Sequence, residues 1–99
     1  MNKIVYMLIK EYIPVKDVLK EKENGEFLIV ANKNSDVYYL NNMAKEMYSL
    51  IDSKISIEKI YEQVKKEYDV EELELKNDIV NFVRDLQWKK LIRLKEVLK

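Results

Sequence analysis

The sequence predicts an α+β domain in which a three-stranded antiparallel meander is followed by three helices. Three observations carry this. Two polar turn signals, Asn24-Gly25 and Asn32-Lys33-Asn34-Ser35, separate short runs of β-branched and apolar residues. After Leu40 the hydrophobic period changes from two to about 3.6. The 99 residues, 47% hydrophobic and 36% charged, suit one core and contain no repeat or linker. The expected organisation is a single domain over residues 1–99.

The elements follow in order. Lys3–Ile9 is β-branched and apolar and reads as an extra strand, closed by Glu11-Tyr12-Ile13-Pro14, because proline cannot donate to a ladder. Val15–Lys22 is a weaker strand. Asn24-Gly25 tolerates positive φ and makes the first hairpin turn. Glu26–Ala31 is nearly continuous in apolar residues and suits the central strand, and Asp36–Leu40 is the third. Asn41 or Asn42 can cap a first helix, with Met43, Ala44, Met47, Leu50 and Ile51 as its stripe. Asp52-Ser53-Lys54 breaks it. Ser56 caps a second helix with the stripe Ile57, Ile60, Tyr61 and Val64. Tyr68-Asp69-Val70 leads to the longest helix, Glu72–Trp88, where Leu75, Ile79, Phe82 and Leu86 share a face with Val83 beside them. Glu71, Glu72 and Glu74 at its start and Lys89 and Lys90 at its end complement the helix dipole. Leu91–Leu94 reads as a short extended segment before a polar tail.

The absent residues exclude most chemistry. Without cysteine there is no disulfide, thiolate nucleophile or iron–sulfur site; without histidine, the usual base near neutral pH and the commonest metal ligand are missing. A lone Gly25 cannot make a phosphate-cradling loop. No enzyme activity, cofactor or metal is expected. The apolar run Ile4–Ile9 is shorter than the about 7–15 residues of a signal peptide or the about 20 of a membrane span, so a cytoplasmic, membrane-free protein is expected.

Among candidate sites, Asp78 and Asp85 lie two turns apart on one helix flank and read as surface carboxylates. Ser35, Ser49, Ser53 and Ser56 have turn or cap explanations and no histidine partner. The charges balance, 18 against 18, so no bulk field draws nucleic acid. Three helices and a small sheet do form a winged-helix-like arrangement, with Lys89, Lys90, Arg93, Lys95 and Lys99 near one end. The helix that would enter a groove nevertheless carries Glu71, Glu72, Glu74, Asp78 and Asp85 against Lys76 and Arg84, and acids near phosphate oppose binding. Tyr38 and Tyr39 must face opposite sides of their strand. In a meander, Asp36–Leu40 lies at an edge. A short apolar edge without lysine or proline is a liability or a docking site, used by adding a peptide as a further strand.

Specific residues sharpen this. Val37-Tyr38-Tyr39-Leu40-Asn41-Asn42-Met43-Ala44 with Met47-Tyr48-Ser49-Leu50-Ile51-Asp52, then Ser56-Ile57-Glu58-Lys59-Ile60, then Asp78-Ile79-Val80-Asn81-Phe82-Val83-Arg84-Asp85-Leu86, resemble three successive motifs of the PqqD-like family. The similarity runs from about residue 14 to 94, in order and spacing; Ser53 replaces a family glycine, and Lys3–Ile9 lies outside. The resemblance implies a winged-helix-like recognition element of ribosomally made, post-translationally modified peptide pathways. Such an element binds a precursor's leader as a strand added to the third strand, beside the third helix. It presents the core peptide to a modifying enzyme: a radical-SAM maturase, a cyclase or a leader peptidase. The implied peptide-binding residues are Asp36, Val37, Tyr38, Tyr39 and Leu40 on the strand. On the helix they are Lys76, Ile79, Val80, Val83, Arg84 and Gln87, the flank chosen because Val80 widens the apolar stripe toward Val83. Asp78, Asp85 and Lys89 form the opposite flank. A wide core stripe fits Val80 equally well. The other readings are a winged-helix nucleic-acid-binding or transcription-associated domain, and a subunit that forms a homodimer through its exposed strand.

Overall fold

In the computed structural model, which describes residues 2–96, the chain forms α1 (Asn2–Ile9), β1 (Ile13–Lys16), β2 (Val18–Asn24), β3 (Phe27–Asn32) and β4 (Val37–Leu40). These are followed by α2 (Asn42–Ser49), α3 (Ile57–Glu67), α4 (Glu72–Trp88) and β5 (Ile92–Lys95). The meander and the three helices after it stand where the sequence places them. Asn41 caps α2, its side chain accepting from the Ala44 amide, and Ser56 caps α3 through the Lys59 amide. Gly25, at φ +63°, is the first loop residue of the β2–β3 hairpin, where a left-handed residue matches the twist of the strands.

The N-terminal segment corrects the sequence reading. Lys3–Ile9 is helical, not extended. A six-residue apolar run is compatible with either state, and tertiary packing decides: a helix puts Asn2, Tyr6 and Ile9 on one face, against α4 and α3. Tyr6 is buried, its ring edge-on to Tyr61 at 5.7 Å, and the Asn2 amide donates to Asn77 and Asn81 of α4. Ile4, Met7 and Leu8 face outward. The segment Val15–Lys22 is also not one strand. The chain changes sheets at Asp17: β1 pairs with β5, Pro14 opposite Leu94, while β2 pairs with β3 through an irregularity between Val18 and Lys20. Ile13 and Pro14, read as a terminator, therefore lie inside β1, where a two-stranded ribbon tolerates proline at an open edge.

The core collects Leu28, Val30 and Leu40 from the sheet, Ile51, Ile57, Ile60 and Val64, five residues of α4, and Leu91 and Ile92. Helix α4 ends in a Schellman turn: Lys90 is left-handed at φ 58°, its amide donates to Gln87, and the Leu91 amide donates to Leu86. That turn drops Leu91 and Ile92 into the core and starts β5. The α2 stripe is displaced from expectation. Met43 is exposed and Tyr48, absent from the expected stripe, is buried, with its hydroxyl donating to Glu21 at 2.8 Å and the Lys16 ammonium over its ring. The polar tail and Lys99 fall at or beyond the last described residues.

Two outcomes follow from this packing. Tyr6→Ala should lower stability by roughly 3–5 kcal/mol in urea unfolding, the range for deleting a buried aromatic ring. Burial raises the phenol pKa of Tyr6 and of Tyr48 well above the usual value, and for Tyr48 the Glu21 carboxylate adds to the effect. The folded state thus keeps protons that the unfolded chain releases near about pH 10, so stability should fall as pH rises above about 10. Tyr48→Phe, with no proton to lose, should show a smaller fall between about pH 8 and about pH 11 in urea midpoints.

Candidate functional site

The order β2–β3–β4 leaves two edges of opposite chemistry. β2 presents Lys20, Glu21, Lys22 and Glu23, all exposed, a charged row that discourages strand pairing. β4 is Val-Tyr-Tyr-Leu and carries no charge.

The hydrogen-bond parity of β4 follows from its register. The Asn32 amide donates to the Asp36 carbonyl at 3.0 Å, so these two residues form a bonded pair. Bonded and open pairs alternate along an antiparallel ladder. With Ala31 opposite Val37, Val30 opposite Tyr38, Ile29 opposite Tyr39 and Leu28 opposite Leu40, Tyr38 and Leu40 bond inward to β3. Val37 and Tyr39 direct their N–H and C=O groups to the open side. Their side chains occupy the outer face, 53% and 65% exposed, with Tyr39 edge-on to Phe27 at 6.4 Å. Tyr38 and Leu40 face the helices, as the alternation of a strand requires. Asp36 lies in the turn before β4, its amide donating to the Asn32 side chain at 3.0 Å.

The helix residues expected at the site from the sequence are placed as follows, and the α4 side chain in contact with β4 is Lys89, on the opposite flank. Ile79, Val80 and Val83 are core residues, at most 3% exposed. Lys76 is held on the side of α1 and α3: it pairs with Glu72 at 2.9 Å, and its ammonium lies 5.2 Å from the Tyr6 ring and 5.5 Å from that of Tyr61. The Glu72 interaction raises the Lys76 pKa. Arg84 and Gln87 are exposed. Instead Lys89 reaches the strand. Its ammonium lies 5.4 Å from the Tyr38 ring centroid while bonding Asp85 at 2.9 Å. Asp78, Phe82, Asp85 and Lys89 recur at i, i+4, i+7 and i+11, one stripe of α4. The end of this stripe, Lys89, thus stands beside Tyr38 of β4. The physical cause of the correction is α1: Val80 widens the apolar face because a helix covers it there.

Elsewhere, a shallow hollow between β2 and α2 has Lys16, Glu21, Lys22, Glu23, Lys45 and Tyr48 in its lining; Lys45 pairs with Glu23, the Tyr48 hydroxyl donates to Glu21, and the Lys16 ammonium lies over the Tyr48 ring. Among the described residues no group of three or more acidic, histidine or cysteine side chains is placed to hold a metal ion. Among the described residues no helix is long and apolar enough to cross a membrane.

An uncharged edge strand with open backbone groups is the feature that peptide-binding domains use for strand addition. Residues 26–92 match the family model of Coenzyme PQQ synthesis protein D (PqqD), and the chain belongs to that family. Its fold is similar to that of a solved structure described as "TbiB1 in Complex with the TbiA(beta) Leader Peptide", with a TM-score of 0.69 and 19% identity, covering 80% of this chain and 93% of that one. No curated protein sequence matches the chain.

Two proline substitutions test the parity. Val37→Pro removes an amide that points away from β3 and should leave the domain folded, with a thermal melt close to the parent. Tyr38→Pro removes an inward ladder bond and the ring under Lys89, and should lower stability by at least about 1–3 kcal/mol in urea unfolding.

Proposed function

We propose that this protein is a non-catalytic recognition module that binds the leader of a ribosomal precursor peptide as a strand added to β4 and presents the attached core to a modifying enzyme. The observation that carries this reading is the open edge of β4: four backbone groups of Val37 and Tyr39 aimed outward from a strand without charge, beside Lys89 of α4. Membership of the PqqD family and a fold shared with a leader-peptide complex support it.

Magnitudes divide the labour. Four main-chain bonds at roughly 0.5–1.5 kcal/mol each give about 2–6 kcal/mol, short of the roughly 8 kcal/mol of a micromolar complex. Side chains of the leader must supply the rest by burial against Tyr38 and Phe82, and that part selects the sequence. Histidine and cysteine are absent from the sequence, and among the described residues no three ligating side chains group to hold a metal; this supports assigning turnover to the partner, a radical-SAM maturase, cyclase or leader peptidase. The acids on α4 oppose a phosphate backbone.

The test is a fluorescence titration with synthetic peptides covering the N-terminal halves of the short open reading frames found beside the gene for this chain. The parent should bind one of them, and Val37→Pro should weaken it about 5–150-fold, the equivalent of one or two lost bonds. Lys22→Ala, on the opposite edge, should bind as the parent does. Binding unchanged in a folded Val37→Pro protein would refute strand addition at β4. The mass of the precursor should be unchanged after incubation with this protein alone.

A further inference from the structure

Asn32 is the one polar residue in the buried core of the described chain, 1% exposed, and every hydrogen-bonding position of its side chain is used. Its Oδ1 accepts from the amides of Asn34 at 2.9 Å and Asp36 at 3.0 Å, closing the β3–β4 turn. Its Nδ2 donates to Asp36 Oδ2 at 3.2 Å and to the Lys89 carbonyl at 2.8 Å. Lys89 is the C-cap of α4, and its carbonyl is one of the acceptors a helix end leaves without a partner inside the helix. One side chain therefore fastens the start of the edge strand to the end of α4. It does so at the residue whose ammonium lies over Tyr38.

We infer that Asn32 is a positioning residue that fixes the spacing and orientation of β4 relative to α4, and that leader affinity depends on this fixed spacing although Asn32 itself touches no peptide. The inference rests on the strand-addition reading above. Its physical basis is that an added strand must satisfy two walls at once: main-chain bonds on Val37 and Tyr39, and side-chain contacts on the α4 stripe. A groove whose walls drift meets one requirement only at the expense of the other. A polar side chain in a small core is expensive unless fully bonded. An apolar residue would fill the site without that requirement but could not join the turn to the helix end.

Asn32→Asp separates the two halves of the role. The carboxylate still accepts from Asn34 and Asp36, but it cannot donate to Lys89 and it faces the Asp36 carboxylate. The chain has no cysteine, so Asn34→Cys on the turn and Arg84→Cys on α4, both exposed, can carry a pair of spin labels, and their separation is read without peptide. In the Asn32 background the distance distribution should be narrow; with Asn32→Asp it should broaden or shift. In unlabelled protein, affinity for the leader peptide of the preceding titration should fall about tenfold or more. Val64→Ala in α3, a core truncation away from the β3–β4 turn, provides the stability control: it should keep the parent distance and affinity at a comparable loss in melting temperature. Asn32→Ser, too short to span to Lys89, replaces Asn32→Asp should the latter not fold. An unchanged distance distribution, unchanged affinity in the folded variant, or an equal affinity loss in Val64→Ala would overturn the inference. A parent protein that binds no precursor peptide would count against strand addition, and the peptide-free distance would then decide Asn32 alone.

Discussion

Helix α4 buries too wide an arc for one neighbour. Leu75, Ile79 and Leu86 follow one line of the helix, while Val83 and then Val80 carry the apolar surface progressively around it, and all five are buried. A surface helix normally turns only one stripe inward. Covering this arc takes the sheet and α3 on one side and α1 on the other, so the N-terminal segment is a structural wall of the domain. The remaining flank, Asp78, Phe82, Asp85 and Lys89, ends at Lys89 beside Tyr38, and the Schellman turn after it brings Leu91 and Ile92 into the core.

The two edges of the sheet illustrate how the chain confines pairing to one place. Alternating Lys and Glu on β2 make a further strand there costly, while β4 leaves four backbone groups open on an uncharged strand. The same strand carries the inner-face Tyr38 toward Lys89 and the outer-face Tyr39 toward Phe27. On the strand-addition proposal, an added strand meets aromatic surface on both of its faces, and main-chain affinity and side-chain selection come from different atoms of the same four residues.

The misreadings of the sequence are connected. Ile4–Ile9 has no period that distinguishes strand from helix, and as a helix it packs on α4, where Val80, the residue that widens the apolar stripe, is buried. Likewise Asn32 reads as an ordinary turn residue. Its amide bonds to Asp36 and to Lys89, 57 positions away, exist only once β3 and the end of α4 are in place. Tyr48 was passed over because the stripe through Met43 and Met47 is equally apolar, and only the Glu21 carboxylate on β2 makes the buried hydroxyl acceptable.

What the sequence determined by itself is what local chemistry controls. Asn24-Gly25 and the Asn32–Ser35 turn set the meander, Asn41 and Ser56 cap their helices, and the span Glu72–Trp88 was legible from its period and terminal charges. The order of strands followed from two tight hairpins, and with it the edge position of Val37–Leu40. Tertiary structure alone decided the helical state of Asn2–Ile9, the sheet change at Asp17, the parity that turns Val37 and Tyr39 outward, and the place of Lys89 beside Tyr38. The physical reason is the range of the interactions. Caps, turns and periodicity are satisfied within a few residues, whereas register and the coverage of a wide apolar arc are settled between segments far apart in the chain, where alternatives of equal local preference are separated only by packing.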